Sequence, residues 1–146
     1  MQKGARDFRS GQEFGHANFF DEAVDIHHIF PKKWCVDNGK DPKEYDSIVN
    51  KSPLSSRTNR IIGGVAPSIY LKSLEEGSHE FQSVPVNDLN RYLQTHAADP
   101  DHLRDDNYEA FLKARQKTLL SLIENAMKKT ASSQGVDEGS WGDAGV

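Results

Sequence analysis

Residues 24 to 31 constrain the fold of this chain more than any other segment. Apolar and polar side chains alternate from Val24 to His27, which is typical of a short strand with one buried face. His28 follows directly, and Pro31 stops the strand or starts a turn. The same alternation places Asp25 and His27 on one face. We therefore expect a strand that ends at two adjacent histidines.

A second strand and a helix are expected after a long loop. The β-branched residues within 47–52 predict a brief strand that contains Asn50 and ends at Pro53. A serine at 55 or 56 then caps a helix that carries Asn59 and ends before two glycines. The resulting order is strand, loop, strand, helix.

The remaining residues predict further helices. Short ones are expected within the loop, over residues 32–38 and after Asp41-Pro42. Beyond the second strand, Pro67 opens one helix and Asn87 caps another, and apolar side chains at helical spacing trace a last helix of about twenty residues over 108–129. The fold class is therefore α+β: a small ββα finger, made of two short antiparallel strands plus a helix, embedded in a mainly helical domain.

Length and local composition set the expected boundaries. A chain of 146 residues suits one compact domain with its own core. Residues 1–12 are polar and without periodicity, so we expect a flexible N-terminus. The domain would span 13–130, with the finger at about 24–64 and the helical part at about 67–130. Residues 131–146 are rich in Ser, Gly and Asp, which predicts a disordered tail.

Composition excludes several kinds of site and leaves others open. The single cysteine, Cys35, rules out an internal disulfide framework or a four-cysteine zinc site, so a bound metal would use His, Asp or Asn. No apolar run is long enough for a membrane span and no signal-peptide core is found, so we expect a cytoplasmic protein without a membrane partner. The net charge of −4 argues weakly against nucleic-acid binding. Residues 29 to 73, however, carry a net charge of +4.

The two histidines can divide the two tasks of phosphodiester hydrolysis. One task is to hold a divalent cation that stabilises the negative charge developing on the departing oxygen. The other is to accept a proton from the attacking water, which a neutral imidazole can do. Asn50 and Asn59, nine residues apart, complete the pattern. The other histidines are not expected to have a functional role. His79, His96 and His102 lie in the helical half and are expected at the surface.

This pattern resembles the HNH, or His-Me finger, nucleases, whose core is a ββα-metal unit. The resemblance covers about residues 24–74. The string from Asp46 to Arg60 is similar to the HNH domain of RNA-guided CRISPR nucleases. The string from His27 to Pro31, together with Ala66-Pro67-Ser68, looks closer still to the C-terminal HNH domains of bacterial modification-dependent restriction and anti-phage proteins.

The resemblance implies a role for each residue of the pattern. His27 would be a metal ligand and His28 the general base, while Asn50 would orient the loop that carries the base. Asn59 would be the second metal ligand. Because oxygen ligands suit Mg²⁺ and one imidazole keeps Mn²⁺ open, the cofactor is expected to be one of these two ions. Asp25 is a further candidate to assist the metal.

The resemblance therefore implies a metal-dependent DNA endonuclease, a phosphodiester hydrolase that serves in bacterial restriction or antiviral defence. Arg60 and Lys51 are candidate contacts to substrate phosphate. Other domains of a longer parent protein, or a partner subunit, would control cutting. The alternative is a catalytically inactive DNA-binding or protein-interaction domain that retains the finger, and an RNA substrate also stays open.

Overall fold

The computed structural model describes residues 5–13 and 24–134, with side chains described as far as residue 130. It is an α+β protein, mainly helical, with one two-stranded antiparallel sheet. In chain order the elements are β1 (Val24–His28), α1 (Lys32–Asp37), α2 (Pro42–Tyr45), a 3-10 turn (Ile48–Asn50), β2 (Lys51–Ser55), α3 (Ser56–Ile62), α4 (Pro67–Glu76), α5 (Val86–Gln94), α6 (Pro100–Arg104) and α7 (Tyr108–Gln134).

The sheet confirms the first strand and corrects the second. Strands β1 and β2 pair antiparallel, with Ile26 opposite Pro53 and His28 opposite Lys51. The strand expected over 47–52 therefore lies at 51–55, and Asn50 belongs to the 3-10 turn before it. Pro53 does not end the strand because each strand of a two-stranded sheet has a free edge, where a missing N–H costs no ladder hydrogen bond.

The helix after β2 begins and ends as the sequence predicts. The side chain of Ser55 accepts a hydrogen bond from the backbone N–H of Thr58, which caps α3. Gly63, with φ of 60°, ends the helix in a backbone conformation that favours glycine. Helix α3 packs against both strands, which completes the order β, β, α.

The helical half differs from the expectation at three places. Helix α5 begins at Val86 after Pro85, so Asn87 lies inside its first turn and is not its cap. Helix α6 was not predicted, because its five residues are too few to show periodicity. Helix α7 runs to Gln134, so the first residues of the predicted disordered tail are helical, and the rest of that tail lies outside the described residues.

The core lies between the finger and the helices that surround it. Phe30 is fully buried two residues after the histidines, with ring centroids 5.0 Å from Phe111 and 5.4 Å from Tyr108. Leu54 from β2 and Tyr70 from α4 are buried in the same cluster. Burial of each such side chain contributes about 1.5–3 kcal/mol. None of the helices in the described ranges is both long and apolar enough to cross a membrane.

Part of the N-terminal segment is packed into this domain. Phe8 is fully buried in the core, and Asp7 is buried beside the start of α3. The Asp7 carboxylate accepts hydrogen bonds from the N–H of Ser55 at 3.0 Å and from the hydroxyl of Thr58 at 2.6 Å. Burial alone would raise the pKa of Asp7, but these hydrogen bonds outweigh it and lower the pKa. Residues 5–13 therefore pack against the domain, whereas the sequence suggested a flexible start over residues 1–12.

Candidate functional site

His27 presents an unpartnered nitrogen at the end of the sheet. It lies on β1 opposite Ser52, and its buried Nε2 has no hydrogen-bond partner among the described residues. Burial lowers the pKa of His27 and the nearby His28 lowers it further, whereas Asp25 acts in the opposite direction. A neutral imidazole with an unused nitrogen is the form that binds a metal ion. The donor chemistry at His27 therefore fits a divalent cation.

His28 is engaged differently from its neighbour. Its Nε2 lies 2.8 Å from Oδ1 of Asp46, and the two side chains are 25% and 47% exposed. The hydrogen bond with His28 is the main cause that lowers the pKa of Asp46, and the positive charge of Lys51 contributes. The sequence pattern did not single out Asp46 as a site residue. A separation of eighteen residues leaves no local signal, because only the fold of the intervening loop brings the two side chains together.

Asn50 is fully buried and connects two segments of the loop. Its side-chain oxygen accepts a hydrogen bond from the N–H of Phe30 at 2.9 Å. Its side-chain nitrogen donates to the carbonyl oxygens of Phe30 and Tyr45, each at 3.0 Å. The backbone carbonyl of Asn50 also accepts from the N–H of Ile29 at 2.8 Å. The amide thus ties the chain just after His28 to the chain just before Asp46.

The other candidate residues lie on β2 and α3. Lys51 is opposite His28 in the sheet, so the structure brings these two together with Asp46. Asn59 is half-buried on α3, which packs against β1. Arg60 is exposed and lines an open cleft of about 510 Å³ with Arg57, and neither histidine lines that cleft. The described residues contain no group of three or more His, Cys, Asp or Glu side chains that could hold a metal ion.

A buried network of hydrogen bonds connects the finger to the N-terminal segment and to the helical half. His96, expected at the surface, is fully buried: its Nε2–H donates to the Arg6 carbonyl, and its Nδ1 accepts from the Ser52 hydroxyl. Burial lowers the pKa of His96 to about 4. The guanidinium of Arg115 donates to the carbonyl of His96 at 3.0 Å and to that of Ile48 at 3.1 Å.

The burial of Arg115 could have been predicted from the sequence. It follows Phe111 by four residues and precedes Leu119 by four, so it stands within the apolar stripe of α7. A charged residue at such a position has to find polar partners when it is buried. Its partners here are carbonyl groups of the 3-10 turn that leads to Asn50, including Val49.

Comparisons with known proteins give one distant relative. The chain is 28% identical over 119 residues to the uncharacterised protein MJ0686 of Methanocaldococcus jannaschii. The matched region is 68% of this chain and 20% of that protein, so the chain spans about a fifth of the length of its relative. No family model matches the chain, and no solved structure matches it.

Proposed function

We propose that this chain is a metal-dependent DNA endonuclease of the HNH class, which hydrolyses phosphodiester bonds. The observation that carries the proposal is the difference between two adjacent histidines at the end of β1. His27 has a buried nitrogen that suits a cation and finds no partner in the described part of the chain, and His28 is partly exposed and hydrogen-bonded to a carboxylate. An unused imidazole nitrogen suits a metal ligand, and an imidazole held by a carboxylate suits a general base.

In the proposed reaction His28 removes a proton from a water molecule as the water oxygen attacks phosphorus in line. The new P–O bond forms as the bond to the 3′ oxygen breaks. The departing alkoxide takes a proton from solvent water, which leaves a 5′-phosphate and a 3′-hydroxyl. Asn50 keeps the loop that follows His28 in place through its bonds to Phe30. General-base catalysis of this kind contributes about 10²- to 10⁴-fold.

His27 and Asn59 would hold the cation. When bound, Mg²⁺ or Mn²⁺ supplies positive charge that stabilises the departing oxygen. The proposed pair supplies one imidazole, from His27, and one amide, from Asn59. The remaining ligands would be water and phosphate oxygens, which both ions accept. The Asp25 carboxylate is exposed and accepts a hydrogen bond from the N–H of Ile26 at 2.7 Å. A contribution of Asp25 through water is part of this proposal.

Arg60 and Lys51 are the proposed contacts to substrate phosphates. Lys51 is supported by its place opposite His28, and Arg60 by its exposure next to Asn59. We also propose that the domain is the nuclease part of a bacterial restriction or anti-phage protein, with cutting controlled by another domain or subunit. The archaeal relative, of which the matched region is only a fifth, supports a setting within a longer protein.

Plasmid nicking in the presence of Mg²⁺ or Mn²⁺ tests the reaction. His28→Ala should cut about 10²- to 10⁴-fold more slowly than the wild type. His79→Ala, at an exposed position of the helical half, is the matched control and should cut at the wild-type rate. If His28→Ala cuts as fast as the wild type, the general-base assignment is wrong. A chain that cuts RNA but not DNA would overturn the substrate assignment alone.

The second candidate function is an inactive domain that binds DNA or protein. The acidic net charge favours it, as does the lack of a three-residue acidic, histidine or cysteine cluster among the described residues. Thermal unfolding with and without Mn²⁺ separates the two candidates. The nuclease should gain stability with Mn²⁺ through His27 and lose that gain in His27→Ala. An inactive binding domain should show no stabilisation that depends on His27.

A further inference from the structure

We propose that Asp46 is the positioning residue for His28 and that it fixes Nδ1 as the nitrogen that accepts the proton. This inference rests on the proposed function and deepens it. The sequence pattern assigns a role to His28 but does not say which of its two nitrogens acts or what orients the ring. The contact with Asp46 answers both questions.

The first step concerns the tautomer of His28. An ionised carboxylate can only accept hydrogen bonds, so a contact of 2.8 Å between Oδ1 of Asp46 and Nε2 of His28 requires a proton on Nε2. In a neutral imidazole the other nitrogen, Nδ1, then carries the lone pair. Only that nitrogen can take a proton from water. The side chain of His28 is a quarter exposed, so water can reach it.

The second step concerns how the fold holds the pair together. Asp46 directly follows α2, and its N–H donates to the carbonyl of Pro42 at 3.0 Å. The preceding residue, Tyr45, is buried, and its carbonyl accepts from the Asn50 amide. The same amide binds both backbone groups of Phe30, two residues after His28. One buried side chain therefore fixes the two segments that carry the pair.

The third step concerns the charge during the reaction. When Nδ1 takes the proton from water, the imidazole becomes a cation, and the Asp46 carboxylate is already in contact with it. A hydrogen bond with one ionised partner is already about twice as strong as one between neutral groups, and the new positive charge on the imidazole adds a direct attraction to the carboxylate. Asp46 therefore stabilises His28 after proton transfer as well as before it, and it remains ionised throughout.

Nuclear magnetic resonance of the His28 ring tests the pair without any reaction. At mildly alkaline pH, ¹⁵N spectra of the wild type should show a proton on Nε2 and none on Nδ1. The Nε2–H resonance should be shifted downfield and protected from exchange with water. Asp46→Ala should lose this resonance. Asp46→Asn keeps an oxygen that can accept from Nε2–H but has no charge, so its resonance should lie upfield of that of the wild type.

Cleavage kinetics provide the second readout. Asp46→Asn should lower kcat by about 10- to 100-fold, as when a partner that orients a metal-bound histidine is removed, and should leave KM nearly unchanged. Asp46→Glu should recover part of the rate. Asp37→Asn, which alters an exposed carboxylate paired with Lys33 on α1, is the matched control and should change neither the resonance nor the rate.

The two readouts separate this inference from the proposed function. A proton on Nδ1 in the wild type, or an Nε2–H resonance that persists in Asp46→Ala, overturns the role of Asp46 whatever the chain does to DNA. An unchanged kcat in Asp46→Asn overturns it as well. A wild type that has the expected tautomer but never cleaves DNA overturns the proposed function, and with it the catalytic use of the pair.

Discussion

Replacement of Asn50 by alanine should destabilise the domain strongly. The side chain is fully buried and makes three hydrogen bonds, one from the N–H of Phe30 and two to the carbonyl oxygens of Phe30 and Tyr45. Each of the two bonds to carbonyl oxygens contributes about 1 kcal/mol, and the buried N–H of Phe30 left without a partner costs about 1–3 kcal/mol. We therefore expect Asn50→Ala to lower the free energy of unfolding by about 3–5 kcal/mol, a large part of the about 5–15 kcal/mol typical of a small domain.

Urea denaturation followed by circular dichroism measures this change. The matched control is Asn38→Ala, because Asn38 makes one exposed side-chain bond to the carbonyl of Trp34 at 2.8 Å. The control should lose less than about 1 kcal/mol. If Asn50→Ala loses no more than Asn38→Ala, the buried amide does not hold the loop, and the argument that it aligns His28 with Asp46 fails.

Asn50→Asp is a stricter version of the same test. It keeps the shape of the side chain but replaces the amide NH₂ donor with an oxygen that, in the carboxylate, can only accept. A carboxylate can still accept from the N–H of Phe30 but cannot donate to the two carbonyls, so three oxygen-based acceptors would face one another in a buried site. We expect a loss at pH 7 at least as large as that of Asn50→Ala. Protonation lets the carboxyl donate to one carbonyl, so the difference from the wild type should shrink at low pH.

Two further predictions concern pH and salt. Because the pKa of His96 is lowered to about 4 when it is folded and is about 6.5 when unfolded, its contribution to stability is present above pH 6.5 and is lost as the pH falls towards 4. The loss should be about 3 kcal/mol. Denaturation of the wild type and of His96→Gln at several pH values measures this loss. An equal pH dependence of stability in the two proteins would contradict the prediction. Arg60→Gln should reduce the slope of log DNA affinity against log salt concentration by about 0.9. Lys117→Gln, at an exposed position of α7, is the control and should leave the slope unchanged. Equal slopes for the two variants would show that Arg60 does not contact phosphate.

The elements predicted correctly from sequence are those that local chemistry determines. Strand β1 follows from alternation, and helix α3 follows from a serine cap at one end and a glycine at the other. The second strand was misplaced because its position depends on pairing with β1. Pro53 suggested an end to the strand, but its partner across the sheet is Ile26 and its place on a free edge makes it acceptable.

The contacts that sequence did not predict join residues far apart in the chain. Asp46 lies eighteen residues from His28, and Arg115 lies 67 residues from Ile48. Asp7 lies 48 residues from Ser55 and was placed in a flexible start because the segment is polar. Asp46 and Asp7 show no local pattern, since their partners are backbone groups or side chains of another element. Arg115 differs, because its position in the apolar stripe of α7 could have predicted its burial from the sequence.

These distant contacts explain how a finger of two short strands can keep the candidate residues in place. Such a sheet is marginal in water without a packed layer around it. Here, buried polar groups from outside the finger fix it at three points: Asp7 binds the start of α3 before Asn59, His96 binds Ser52 opposite His27, and Arg115 binds the turn that leads to Asn50. Because a buried group that loses its partner is costly, each anchor resists displacement. The segments that carry the candidate residues are therefore held from outside the finger, so the N-terminal segment and α7 contribute to the geometry of the candidate site.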